Sequence, residues 1–118
     1  MLKKSVNRTH RVAAEVRRVL SEFFLRNSLN DEKINTAFLS VTDVRVSSCL
    51  QHVKVYVTYL SDNVSEEECL EFLRLNTPHL RHCVGKQIRL KFVPDLLFFI
   101  DDSFDYAQKI ECLLKEIQ

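Results

Sequence analysis

Residues Arg74–Pro94 read RLNTPHLRHCVGKQIRLKFVP, and how this stretch bends decides the fold. Pro78 lacks a backbone donor and pushes Thr77 out of the α region, so a helix arriving from upstream stops there. Its fixed φ suits the first residue of a new helix, with Thr77 as the cap. In that second helix Leu80, Cys83 and Val84 face inward, while Arg81 and His82 face out. Gly85, the only glycine of the chain, stands where a left-handed helix terminus is wanted. Ile88, Leu90 and Phe92 then alternate with Arg89 and Lys91, which predicts a half-exposed strand with both bases on its open face. Pro94, within an apolar run that continues through Leu96–Ile100, implies an edge position or a bend. The stretch carries five bases (Arg74, Arg81, Lys86, Arg89 and Lys91) and no acid. It is therefore a candidate grip for an anionic partner.

Working outward, the upstream helix has a marked start. Ser65 followed by Glu68 forms a capping box, and Val64 with Cys69 occupies the two positions of a hydrophobic staple. Glu66, Glu67 and Glu68 suit the positive end of the helix dipole, which explains this acidic cluster without a metal. Leu70 and Leu73 supply its buried side. Before it, His52–Leu60 is the clearest strand, with Val53, Val55, Val57 and Tyr59 on one face and Lys54, Tyr56 and Thr58 on the other. Phe38–Val46 is a second strand whose phase changes: Ala37, Leu39 and Val41 are odd, Val44 and Val46 even. A bulge near Thr42–Asp43 brings both sets to one core. The short link Ser47–Gln51 makes the two an antiparallel hairpin.

The N-terminal helix spans about Asn7 to Arg26, with Val12, Val16, Val19, Leu20 and Phe23 on one face and Ala13 and Phe24 at its margin. Arg11, Glu15, Arg18 and Glu22 form the opposite stripe, spaced for ion pairs along the helix. Asn27–Lys33 is a polar turn. A last helix, capped by Asp102 or Ser103, carries Tyr106, Ile110, Leu113, Leu114 and Ile117 at helical spacing. The order is α-β-β-α-kink-α-β-α. A crossover through the two middle helices places the strands parallel, giving an α+β domain with a three-stranded mixed sheet and helices on one face.

The totals agree. At 118 residues the chain fits one domain, 1–118, whose first six residues and C-terminal end are its loosest parts. One glycine and two prolines are too few for a many-turned all-β fold. No run approaches the ~20 apolar residues that span a bilayer, and MLKKSVNRTHR lacks an apolar signal core. Four widely spaced cysteines in such a chain are read as reduced, small hydrophobes. A cytoplasmic protein with no membrane contact is expected. The net charge of +1 hides segregation. Residues 1–26 hold seven bases and two acids, and residues 74–91 five bases and none; 27–73 hold three bases and eight acids, and 92–118 two and six. Two basic blocks point to one anionic partner.

That element order, with HVKVYVTYL (52–60) and VGKQIRLKFVPDLLFFIDDS (84–103), resembles the ribosome-binding factor A family, and the resemblance covers nearly the whole chain. Its most specific part is Arg89-Leu90, Val93-Pro94-Asp95-Leu96, Phe98, Asp101 and Ser103, beside Lys54-Val55-Tyr56-Val57-Thr58. The resemblance implies a type II KH-like domain that binds the 30S ribosomal subunit during its maturation. It implies a non-enzymatic assembly factor, without cofactor or metal, that acts near the 5′ region of 16S rRNA and is associated with growth in the cold. The family lacks the GxxG loop of ordinary KH domains and has an Ala-x-Gly kink between its helices; here Asn76-Thr77-Pro78 stands in that place. Cys49 stands where an aspartate is usual in the strand connection.

On this reading Arg81, Lys86, Arg89 and Lys91, with Arg11, Arg18 and Lys54, contact RNA phosphates by charge, which gives affinity with little base specificity. Each alone is as well explained as a solvated base; the acid-free block favours function. An enzyme is disfavoured: Cys49, Cys83, Ser103 and the four histidines show no base-and-orienter spacing, and no P-loop or nucleophile elbow is present. A metal site from His79, His82 and Cys83 near Cys69 fails because inward Cys83 and outward His82 do not share an ion readily. The alternative function is a protein-interaction adaptor working through the open sheet face without direct RNA binding. There Tyr56 is the only outward tyrosine, so no aromatic stacking platform is expected. A monomer is expected in either case.

Overall fold

A computed structural model describes residues 2–26, 33–61 and 63–101, with side chains from Arg8 onward. Helix α1 spans Leu2–Arg26, strands β1 and β2 span Leu39–Val46 and His52–Tyr59, helices α2 and α3 span Glu66–Leu75 and Thr77–Gln87, and strand β3 spans Asp95–Ile100. A short 3-10 turn at Thr36–Phe38 leads into β1. The expected polar turn at 27–33 lies almost wholly outside the described residues, as does the expected last helix.

The sheet is mixed, in the order β1-β2-β3: β2 pairs antiparallel with β1 and parallel with β3. The register shifts between Val41 and Asp43, where Val41 faces Val57 but Asp43 faces Tyr56. That bulge turns Leu39, Val41 and Val44 all to the core side despite their change of parity. The hairpin closes with Leu50 at φ 61°, the only positive φ among the described residues. Ser47 binds both ends of this turn: its N–H donates to His52 O, and its Oγ accepts from His52 N at 3.1 Å.

Helix α1 lies over β1, while α2 and α3 lie towards β3. Between the layers Val16, Leu20, Phe24, Val53, Val55, Val57, Leu73, Leu80 and Val84 have no exposed surface. Each such side chain contributes ~1.5–3 kcal/mol of transfer free energy. One expectation is corrected here: Phe24, not Phe23, is the core phenylalanine of α1, and Phe23 is half-buried with its ring 5.4 Å from that of His79. Phe24 stands i+4 from fully buried Leu20 and so extends that side of the stripe, and its carbonyl is needed inside. The hydroxyl of fully buried Thr36 donates to it at 2.8 Å, which satisfies a terminal carbonyl of α1.

Helix α2 is capped by Ser65 as expected: Glu68 N donates to Ser65 Oγ at 3.1 Å, while Glu68 Oε1 accepts from the Ser65 hydroxyl at 3.4 Å. Cys69, Phe72 and Leu73 are its buried residues; Leu70 is half-buried.

Candidate nucleic-acid interface

Asn76 separates α2 from α3 and is the cap residue of both. Thr77 is therefore not the cap that the sequence suggests, but the first residue of α3. Its hydroxyl donates back to Leu73 O at 2.8 Å, and Asn76 Nδ2 donates to Phe72 O at 2.8 Å. Both side chains thus satisfy carbonyls that end α2, and Pro78 costs nothing because the first turn of α3 needs no donor there.

Gly85 does not end α3. The helix runs to Gln87, is capped by Ile88, and contains no positive φ. The residue is small for a steric reason: a Cβ there would stand 2.8 Å from Cγ2 of Val93. The chain returns that close because Arg81 holds it. Arg81 Nε donates to Pro94 O and its Nη2 to Val93 O, both at 3.1 Å, and Nη2 lies 3.7 Å from Asp95 Oδ1.

This clamp also overturns the expected strand at Ile88–Phe92. Residues 88–94 are irregular, and the third strand is Asp95–Ile100. Pro94 has no N–H, and its carbonyl, with that of Val93, is already taken by Arg81, so pairing starts only at Asp95, whose N–H donates to Gln51 O. Ile88 is buried and Leu90 half-buried, so the alternation there reflects packing of a loop, not a strand. Arg89 and Lys91 are exposed but do not lie on the open sheet face.

The candidate cations consequently divide. Lys86, Arg89 and Lys91 are exposed at the end of α3 and in the loop after it. Lys91 lines a cleft of about 280 Å³ together with Leu90 and Phe92, Arg8 and Thr9 of α1, and Ser48–Gln51 of the hairpin turn. Arg11 is exposed one turn beyond Arg8. Arg18 is farther along and pairs with Glu22 at 3.5 Å, which reduces its charge for a partner. Lys54 is on the other side of the sheet, away from the helices. Arg81 is a structural clamp. In the cleft wall, Cys49 is exposed and its thiol is held below its ordinary pKa by hydrogen bonding to Ser47 and then to the Gln51 backbone.

What the sequence does not reveal is the open sheet face. Register places Asp43, Tyr56 and Phe99 in one row and Arg45, Lys54 and Leu97 in the next. The Tyr56 and Phe99 rings stack with centroids 5.4 Å apart and planes 26° apart, and the Arg45 guanidinium carbon is 5.5 Å from the Tyr56 centroid. An aromatic platform therefore exists, contrary to expectation. The β3 sequence DLLFFI is apolar on both faces, so no alternation could assign Phe99 outward.

Among the described residues no helix is long and apolar enough to cross a membrane, and no three His, Cys, Asp or Glu side chains are grouped to hold a metal ion.

Comparison with known proteins agrees with the fold. The family model described as Ribosome-binding factor A matches residues 8–114. A ribosome-binding factor A of Clostridioides difficile is 37% identical over 113 residues, covering 96% of this chain and 86% of that protein. The crystal structure of ribosome-binding factor A from Thermus thermophilus superposes with a TM-score of 0.67 at 24% identity, over 80% of this chain and 98% of that one. A Thermus thermophilus ribosome binding factor A homology model, fitted into a cryo-electron microscopy map of a 30S–RbfA complex, gives a TM-score of 0.60 at 26% identity, over 74% of this chain and 88% of the other.

Proposed function

Since the chain belongs to the ribosome-binding factor A family, we propose that it binds the 30S ribosomal subunit and assists the late maturation of 16S rRNA without catalysing a reaction. The relative fitted into a map of a 30S complex supports the partner. The observation that carries the mode of binding is the exposed, acid-free group Lys86, Arg89 and Lys91 at the end of α3 and in the loop after it, with Arg8 lining the same cleft as Lys91. Such an arrangement presents point charges to a phosphate backbone and fixes orientation more than sequence. Arg11 extends it along α1. The 5′ region of 16S rRNA, action as a cytoplasmic monomer and a role in growth at low temperature belong to the same proposal.

The test is co-sedimentation with free 30S subunits across a salt series. Wild type is expected to lose binding steeply as salt rises. The triple variant Lys86→Glu, Arg89→Glu, Lys91→Glu is expected to bind at least ten-fold more weakly, with a shallower salt slope because fewer counterions are released. Unchanged co-sedimentation of that variant at low salt would overturn the reading.

A further inference from the structure

We infer that the open face of the sheet is a second contact surface, which takes unpaired nucleotides of an RNA strand by stacking on Phe99. This rests on the RNA-binding reading above but uses none of the residues of the cleft and the end of α3. Three strands contribute to a single stack: Phe99 from β3 lies beside its register partner Tyr56 from β2, and Arg45 from β1 reaches the tyrosine ring from the adjacent row. The guanidinium lies against the tyrosine ring and the tyrosine ring against the phenylalanine ring. Phe99 ends this row on an edge strand among the described residues, and it is 40% exposed. A planar base continues the ladder where the protein's own rings stop, and every base offers the π face required.

Charge selects the occupant. Arg45 and Lys54 are direct cross-strand partners on this face, and like charges so placed repel. Asp43 offsets Arg45 through a 3.1 Å contact to its Nε, which leaves Lys54 as the exposed cation of the row beside the rings. An apolar protein segment laid on Leu97 and Phe99 would have to strip water from Lys54 without replacing it. A strand whose phosphates run past Lys54 while a base sits on Phe99 satisfies both groups. Duplex RNA cannot do this, because its bases are already stacked within the helix.

The experiment measures fluorescence anisotropy of the full chain with a short labelled single-stranded RNA and with the same strand annealed into a duplex. Phe99→Leu keeps the apolar bulk of the site and removes the π face. It is expected to weaken single-strand binding about five-fold or more while leaving duplex binding within about two-fold. Phe99→Tyr is expected to restore single-strand binding, and an unaltered circular dichroism spectrum for both variants excludes misfolding. If Phe99→Leu leaves single-strand affinity unchanged, or weakens both RNAs equally, the stacking surface is wrong. The basic variant of the preceding section reports separately. Its failure to weaken either RNA, with Phe99→Leu still weakening single-strand binding, would overturn the phosphate grip and retain the platform. Absence of binding to both RNAs by wild type overturns both.

Discussion

A Cβ on Gly85 would stand 2.8 Å from Cγ2 of Val93, nearer than side chains in folded proteins normally approach. The two residues are coupled through the return of the 88–94 loop onto α3, a return fixed by the Arg81 hydrogen bonds to Val93 O and Pro94 O. In the middle of a helix glycine costs about 1 kcal/mol relative to alanine, so the chain tolerates that cost for the close approach.

Gly85→Ala is therefore expected to lower stability by about 1 kcal/mol in the natural background, because overpacking outweighs the gain in helix propensity. In a Val93→Ala background the same change is expected to raise stability by up to about 1 kcal/mol, since the clash is gone. Urea unfolding of the four proteins of the cycle measures the coupling. Equal effects of Gly85→Ala in both backgrounds would show that Val93 does not explain the glycine.

Arg81 donates through two different nitrogens of its guanidinium, a geometry lysine cannot copy. Arg81→Lys should lower stability by about 1–2 kcal/mol, since a carbonyl in the clamp loses its partner. The salt slope of RNA binding should not change, because the guanidinium is engaged internally. A reduced slope with unchanged stability would instead assign Arg81 to the phosphate contacts.

Thr36 is fully buried and its hydroxyl donates to Phe24 O. Thr36→Val preserves volume and removes the donor, so a carbonyl at the end of α1 is left unsatisfied in the interior. The expected loss is about 1–3 kcal/mol, read from the thermal midpoint or from urea titration. A loss within about 0.5 kcal/mol would mean that the carbonyl finds another donor.

The cysteines should differ sharply in reactivity. Hydrogen bonding to Ser47 favours the Cys49 thiolate, whereas burial, with Glu66 nearby, pushes Cys69 up to about 11. Lowering a thiol pKa brings the reactive anion in at lower pH, and raising it withholds the anion until higher pH. Iodoacetamide near neutral pH should alkylate Cys49 in the folded chain well before Cys69, as peptide mass spectrometry would show. Ser47→Ala should slow Cys49 at fixed pH; an unchanged rate would remove Ser47 as the cause.

Much of the fold is written locally. The period-two pattern of Val53, Val55 and Val57, the parity change between Val41 and Val44, and the Ser65–Glu68 pair each depend on residues a few positions apart, and each has its counterpart in the structure. The third strand is misplaced by the sequence pattern because Ile88, Leu90 and Phe92 alternate like a strand, while what denies them pairing is Arg81, a full helix turn before Gly85. Gly85 misleads for a related reason: a glycine required by a distant Val93 is indistinguishable, along the chain, from one required by a turn. At the candidate site the exposure of Lys86, Arg89 and Lys91 is legible from their charge. The stacking of Tyr56 on Phe99 is not, since it depends on the register adopted by two strands far apart in the chain.

Among the described residues the three-stranded sheet has two raw edges, and each is a template on which another molecule's strand can grow. The extra residue in β1 matters beyond its effect on parity. At Val41–Asp43 it breaks the regular spacing of donors and acceptors along the outer edge, and Asp43 and Arg45 place opposite charges just past the break. An incoming strand meets no continuous ladder to extend there. The irregularity that keeps Val44 in the core therefore also guards this edge against the first step of sheet-driven polymerisation.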